Sequence, residues 1–328
     1  MHKNFVHKQL LNMIVTRLGT GLITLFAVSI IIFASIATLP GDFAKTTLGR
    51  SATPETVAAF QQALGLDKSA PVRYVHWITG ALQGDLGLSF SSGRGKPRTV
   101  SSIIEPRLKN TLFLAGITAL IAIPVALVLG IVAAVRRKSW LDRNLNAFTL
   151  ASISFPEFFV AYVLMLLFAV KFPIFYSLAR ITPTMGTLEV IERLALPVLT
   201  LSFGVIAHMM RMSRAAIINL MSHAYIEMAN LKGASPWRVV LRHALPNAWG
   251  PIVTVIAFNL AYLIVGVVVV EVVFVYPGIG QAMVDAVRTR DIPVVQACAL
   301  IFAATYIMLN LVADVIAMVT NPRLAHPK

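Results

Sequence analysis

A chain of 328 residues that is 57% hydrophobic and only 13% charged, with a mean hydropathy of +0.78, has too little polar surface to cover a water-soluble globule and belongs in a bilayer. Its net charge of +14 would suit a nucleic-acid binder if the chain were soluble, but Lys and Arg cluster between apolar runs, as residues that fix membrane topology do. The lone Cys298, set in an apolar run, excludes an intrachain disulfide and a cysteine-based metal site.

Apolar runs of about 20 residues, enough to cross a hydrocarbon core, lie near 18–39, 111–135, 147–170, 194–212, 248–270 and 294–320. They predict an all-α, polytopic protein of six spans, the fourth interrupted or bounded by Pro197, His208 and Arg211. The first span follows basic residues and ends in small ones, as a signal peptide would. Its apolar run exceeds the ~7–15 residues of a cleaved segment, so it reads as a retained helix. With a cytoplasmic N-terminus, the inside segments carry fourteen Lys and Arg and the two short outside loops carry five. The long loop 40–110 lies beyond the reach of that charge rule. Both termini are therefore expected in the cytoplasm.

In loop 40–110, Thr53-Pro54-Glu55 starts a helix that runs to Leu64 and stops at Gly65. A second helix fits 71–82, with Tyr74, Ile78 and Leu82 on one face, and Gly84-Asp85-Leu86-Gly87-Leu88-Ser89 makes a turn. Gly93-Arg94-Gly95-Lys96 is not a phosphate loop, because Phe90 and Pro97 stand where that motif needs Gly and Ser or Thr. No other stretch reads as a nucleotide site. The basic run Arg136-Arg137-Lys138, with Arg143 beyond it, reads as an anchor after the second span.

Within the third span, Pro156 should kink the helix and Glu157 should face protein or water, since an unshielded carboxylate at that depth costs several kcal/mol. Glu157 either lines a translocation path or bonds a neighbouring helix. The polar stretch 225–247 reads as helix, turn, helix: Ser222 caps, Gly233 stops, and Ser235-Pro236 reopens. Glu271 falls near the outer end of the fifth span, before the turn Pro277-Gly278-Ile279-Gly280, with Asp285, Arg288, Arg290 and Asp291 following. Asp314, near the inner end of the sixth span, would snorkel or pair with a basic residue.

The stretch 225–247 resembles the EAA loop of bacterial ABC importer permeases. Glu227, Ala229, Gly233, Leu245 and Pro246 match that pattern in register, while Met228 and His243 depart from it. Other segments are similar to the dipeptide/oligopeptide/nickel branch: Leu39-Pro40-Gly41-Asp42, the pair Tyr74 and Trp77, and the Gly84–Ser89 turn. So are Arg107-x-x-Asn110-Thr111, Ser139-x-x-Asp142-Arg143, Asn310-Leu-x-x-Asp314 and Asn321-Pro322-Arg323, the last where the branch carries Asp-Pro-Arg. The chain is thereby identified as a member of that family, of its first-permease type.

The resemblance implies a type I importer permease fold in a bacterial or archaeal plasma (inner) membrane. Residues 1–39 would form the N-terminus and first span, 40–110 an extracytoplasmic scoop or packing lid, 111–320 the core with a cytoplasmic coupling loop at 211–247, and 321–328 a tail. It implies as partners a second homologous permease, two ATP-binding cassette ATPases and a solute-binding protein, with the bilayer around them and no nucleic acid. This chain would bind no cofactor or metal and hold no catalytic residue; ATP and Mg would sit on the ATPases. Tyr225, Glu227, Met228, Ala229, Lys232 and Gly233 would couple to the ATPase, with Tyr225, Met228, Ala229 and Lys232 on one face. Glu157, Asn259, Tyr262, Glu271, Pro277 and Gly278 would line the path or its gate. The competing reading is an ion-coupled transporter or channel using Glu157, Glu271 and Asp314. A membrane enzyme is disfavoured, since His208, His223 and His243 lack metal-ligand spacing.

Overall fold

The computed structural model describes residues 2–37, 52–63, 67–91, 98–182 and 184–320. The segments singled out at 39–42, 64–65, 93–97 and 321–328 lie outside the described residues. In chain order the helices are α1 (His2–Ala37), α2 (Pro54–Ala63), α3 (Ala70–Leu82), α4 (Val100–Val135), α5 (Trp140–Ser154) and α6 (Glu157–Met165). Then follow α7 (Thr187–Leu220), α8 (Ala224–Leu231), α9 (Pro236–Val273), α10 (Ile279–Thr289) and α11 (Ile292–Thr320). Among the described residues the only β pairing is an isolated bridge between Leu88 and Thr99, so the protein is all-α. Five stretches, Ile14–Ser35, α4, α7, α9 and Ile292–Ala317, are long and apolar enough to cross a membrane. A sixth is the pair of α5 and Glu157–Lys171, bent by 103°.

That bend is a break, sharper than the kink the sequence predicts. Phe155 precedes a proline whose ring clashes with a helical neighbour, and it adopts φ −88°, ψ 134°. Helix α5 therefore ends at Ser154, and α6 restarts with Phe159 and Val160 N–H donating to Pro156 O at 3.0 and 3.2 Å. Pro197 has no such effect: α7 runs through it for 34 residues, longer than the predicted fourth span. Pro246 also sits inside a continuous helix. A wide π turn, Val239–Ala244, precedes Leu245-Pro246 and opens the backbone where the proline ring would otherwise meet the preceding turn.

The chain divides into two compact units, Met1–Gly21 with Leu112–Tyr276 and Thr305–Lys328, and Leu22–Thr111 with Pro277–Ala304. In the first, α7 and α9 are the central pair, with α5 and α6 packed on α7. Ala122, Ala126, Gly130 and Ala134 recur every fourth residue on α4, as small residues do where membrane helices approach closely. A Cβ at Gly130 would stand 3.0 Å from Met210 O and 3.2 Å from Ser213 Cβ. Leu196, Leu201, Val267, Val270 and Phe274 form one buried cluster of this unit. The second unit has its own core, in which Val100 and Ile104 pack with Ile279, Ala282, Ala297 and Cys298.

In the second unit α2 and α3 form where the sequence predicts helices. Their inward face differs in one residue: Tyr74 and Ile78 are half-buried, but Leu82 is 82% exposed. Leu82 is the last residue of the helix, which Gln83 and Asp85 N–H close by both donating to Gly80 O at 2.9 Å. Tyr74 instead meets Phe33 at 5.5 Å between ring centroids and shares a 2.8 Å hydrogen bond with Ser29. Gly84 and Gly87, at φ +82° and +81°, make the predicted turn.

Candidate functional site

The first candidate element is α8 with the turn after it. Ser222 does not cap it: its Oγ donates to Asn219 O at 3.0 Å and so closes α7, while His223 occupies the N-cap position through backbone geometry alone. At the other end Gly233 N–H donates to Asn230 O at 2.9 Å and Ala234 N–H to Ala229 O at 3.1 Å, a Schellman motif. The motif needs a left-handed residue, and Gly233 supplies it at φ +76°.

One face of α8 is anchored. Ile226 and Ala229, three residues apart, are buried with Ile217, Val239, Val240 and Ala248. This corrects the expectation that Ala229 shares the outward face: it is 8% exposed and meets its own chain. The outward face carries Tyr225, Glu227, Met228 and Lys232, joined by Leu231, which sequence reasoning missed. Leu231 is 76% exposed and Met228 53%, on a helix too short and polar to span anything. Trp237 and Leu241, just beyond the turn, are exposed as well.

The second element is the break before α6. Glu157 opens that helix, where an acidic side chain suits the helix dipole. It lines a cavity of ≈ 50 Å³ with Ser152, Thr200, Gly204, His208 and Tyr262. The Tyr262 hydroxyl donates to Glu157 Oε1 at 3.4 Å, and the rings of His208 and Tyr262 lie 6.0 Å apart. A Cβ at Gly266, one turn beyond Tyr262, would lie 2.8 Å from that same oxygen, so the bare glycine makes room for the carboxylate. His208, like Ser152, Thr200 and Gly204, is a cavity member not proposed for a path from sequence; no spacing signals it.

The remaining predicted path residues do not join this cavity. Asn259 donates to Val255 O of its own helix at 2.8 Å. Glu271 is fully buried near the end of α9, with its carbonyl accepting Tyr276 N–H at 2.8 Å. Burial, and after it the Glu271 carboxylate, pushes the Tyr276 phenol well above its ordinary pKa. In the other unit Pro277 O accepts from Asn110 Nδ2 and Thr111 Oγ1 accepts Ile279 N–H, both at 2.9 Å. Gly278 is the N-cap of α10, which begins at Ile279, so Ile279 and Gly280 of the predicted turn already lie in the helix.

Three polar contacts join residues that sequence places far apart. Arg214 grips Asp142 with both ends of its fork, Nε to Oδ1 at 2.7 Å and an Nη to Oδ2 at 2.8 Å. Asp291, 1% exposed, accepts from the hydroxyls of Ser89 and Ser91 and from the N–H groups of Phe90 and Ser91. Arg17 meets Asp314 at 3.2 Å, the basic partner expected for that acid. Among the described residues no three acidic, His or Cys side chains gather as one metal-holding group, so Glu157, Glu271 and Asp314 do not supply the ion-binding centre that the ion-coupled reading requires.

Comparison with known proteins gives two family models in tandem. Residues 126–326 match "Binding-protein-dependent transport system inner membrane component", and residues 10–114 match the N-terminal region of such components. The glutathione transport system permease protein GsiC of Escherichia coli is 38% identical over 317 residues, covering 97% of this chain and 100% of that protein. Its Shigella flexneri counterpart is 37% identical over the same length. A protein named probable peptide ABC transporter permease y4tP, from Sinorhizobium fredii, is 34% identical over 320 residues, 95% of this chain and 99% of its own.

Proposed function

The chain belongs to the family of binding-protein-dependent transport system inner membrane components, and from that premise we propose how it is driven and what it carries. As a multi-pass inner-membrane permease it works with an ATPase and a solute-binding protein. In our reading it pairs with a second, homologous permease, and two ATPases dock beneath the pair. Both termini and α8 lie on the cytoplasmic side, and loop 40–110 meets the binding protein outside. The cargo is a short peptide or peptide-like solute such as glutathione, a reading supported by the relatives' names and by near full-length similarity.

The observation that carries the coupling proposal is α8 itself. A short helix is pinned to the long α9 through Ile226 and Ala229, and it presents an unpartnered apolar face of Tyr225, Met228 and Leu231. Such a face suits a groove on another protein. Glu227 and Lys232 flank it with charge. Because α8 and α9 are joined through the turn at Gly233 and through a shared apolar cluster, motion of a docked ATPase would pass to α9 as a rigid lever.

Substrate would pass the break between α5 and α6, where Glu157 and Tyr262 offer a carboxylate and a hydroxyl; Asn259 and Glu271, and the turn at Pro277-Gly278, serve the path or its gate. The test is Gly233→Asp, which puts a side chain where φ is +76°. Uptake in cells should fall by about tenfold or more while the protein still inserts and copurifies with its partners. Unchanged uptake would overturn the coupling role.

A further inference from the structure

The unit Leu22–Thr111 with Pro277–Ala304 holds a second and larger cavity, ≈ 320 Å³, which none of the transport roles above uses. Its size is at the lower end of small-molecule sites. One wall is a single face of α3: Arg73, His76, Trp77 and Gly80, spaced three, four and seven residues from the first. Gly80 is bare because a Cβ there would stand 3.0 Å from Asp85 O, so the turn after α3 closes directly against the helix. Lys68, just before α3, adds a second fixed positive charge to the lining. The rest is mainly apolar, with Phe33, Phe90, Ile292 and Pro293 in the lining.

Two donors in this wall are unmet. Arg73 Nε and Trp77 Nε1 are both buried, and neither finds a hydrogen-bond acceptor among the described residues. A buried donor without an acceptor costs about 1–3 kcal/mol, more when it belongs to a charged group. The guanidinium lies over the Phe33 ring at 5.8 Å, which holds its plane without satisfying its N–H groups. One carboxylate, Asp85, also faces the cavity; its Oδ1 already accepts Gly87 N–H at 2.9 Å. The lining therefore offers two cations and two unfilled donors beside an apolar chamber.

We propose that this cavity binds a phosphate-type oxyanion, with Arg73 and Trp77 as the donors and Lys68 as a supporting charge. Guanidinium matches phosphate geometry and forms hydrogen bonds roughly twice as strong as neutral ones. The apolar remainder favours a phosphate carried on hydrocarbon, as in a phospholipid head, over the free ion.

The experiment uses the full chain, purified in maltoside detergent with its copurifying subunits. Native mass spectrometry would measure retention of phosphatidylglycerol and of diacylglycerol, which has the same chains and no phosphate; calorimetry would measure binding of inorganic phosphate. Arg73→Gln and Trp77→Phe each remove one donor, and the phenyl ring of the second keeps the aromatic packing. Wild type should retain phosphatidylglycerol over diacylglycerol, and each variant should lose that preference about tenfold. Tight binding of inorganic phosphate, lost in the same variants, would assign the free ion as occupant. Retention of both lipids alike, or phosphate and phosphatidylglycerol binding equal in wild type and both variants, would overturn the proposal. The readout is binding, so it stands or falls independently of uptake.

Discussion

Asp291 is a residue whose importance only its neighbours reveal. It sits 202 positions from Ser89, yet four donors from 89–91 converge on its carboxylate. Replacing it with Ala would leave those donors facing a void. Asp291→Ala should destabilise the purified protein by about 2–4 kcal/mol, read as a lower thermal midpoint, while Ser91→Ala alone should cost about 1 kcal/mol. The pair of Asp142 and Arg214 behaves differently because both partners carry charge and the Asp142 side chain is 4% exposed. Removing the arginine strands a buried carboxylate. A double-mutant cycle with Asp142→Asn and Arg214→Gln should therefore show a coupling of about 1.5–3 kcal/mol, with Arg214→Gln alone the more harmful single change. Coupling near zero would mean that solvent already screens the pair. Neither contact is legible in sequence, because a bond across 72 or 202 residues depends on which helices pack together.

At the scale of elements, three helices end in the same way and with different chemistry. The Schellman bonds of α8 pass through Gly233, those of α9 through Val275 and those of α10 through Arg290, at φ +76°, +53° and +55°. Glycine takes this conformation freely, whereas a β-branched residue there is strained by about 1–3 kcal/mol. Val275 is 39% exposed, so little packing compensates. Val275→Gly should accordingly stabilise the protein by about 1 kcal/mol, and Gly233→Ala should destabilise it by a similar amount, both visible in thermal unfolding. The stop at Gly233 was legible because glycine after a helical pattern names its own conformation. Val275 was not, since valine predicts the opposite. Likewise Pro156 announced a disturbance, but its size came from Phe155 before it. Ala229 was misplaced because spacing alone fixes which residues share a face and leaves open which face meets the chain's own core.

For the whole molecule, hydropathy alone located five long apolar helices and, as a sixth apolar stretch, the segment that the structure breaks into a bent pair. A run of about 20 apolar residues is a strong signal because lipid leaves the backbone few options. The site was less legible: residues of α8 and its turn lie together in sequence and could be read there, whereas Glu157, His208, Tyr262 and Gly266 meet only through packing. The cavity beside Arg73 has the same character, since its lining joins α3 to Ile292 and Pro293, more than 200 residues away in sequence. The central claim is that the exposed face of α8 docks on an ATPase while its other face belongs to this chain. Cysteine cross-linking in the assembled complex tests it directly, with the buried Cys298 replaced by Ser. Met228→Cys and Leu231→Cys should each cross-link to the ATPase subunit, and Ile226→Cys should not. Cross-links absent from the first two positions, or equally strong at Ile226, would contradict the account.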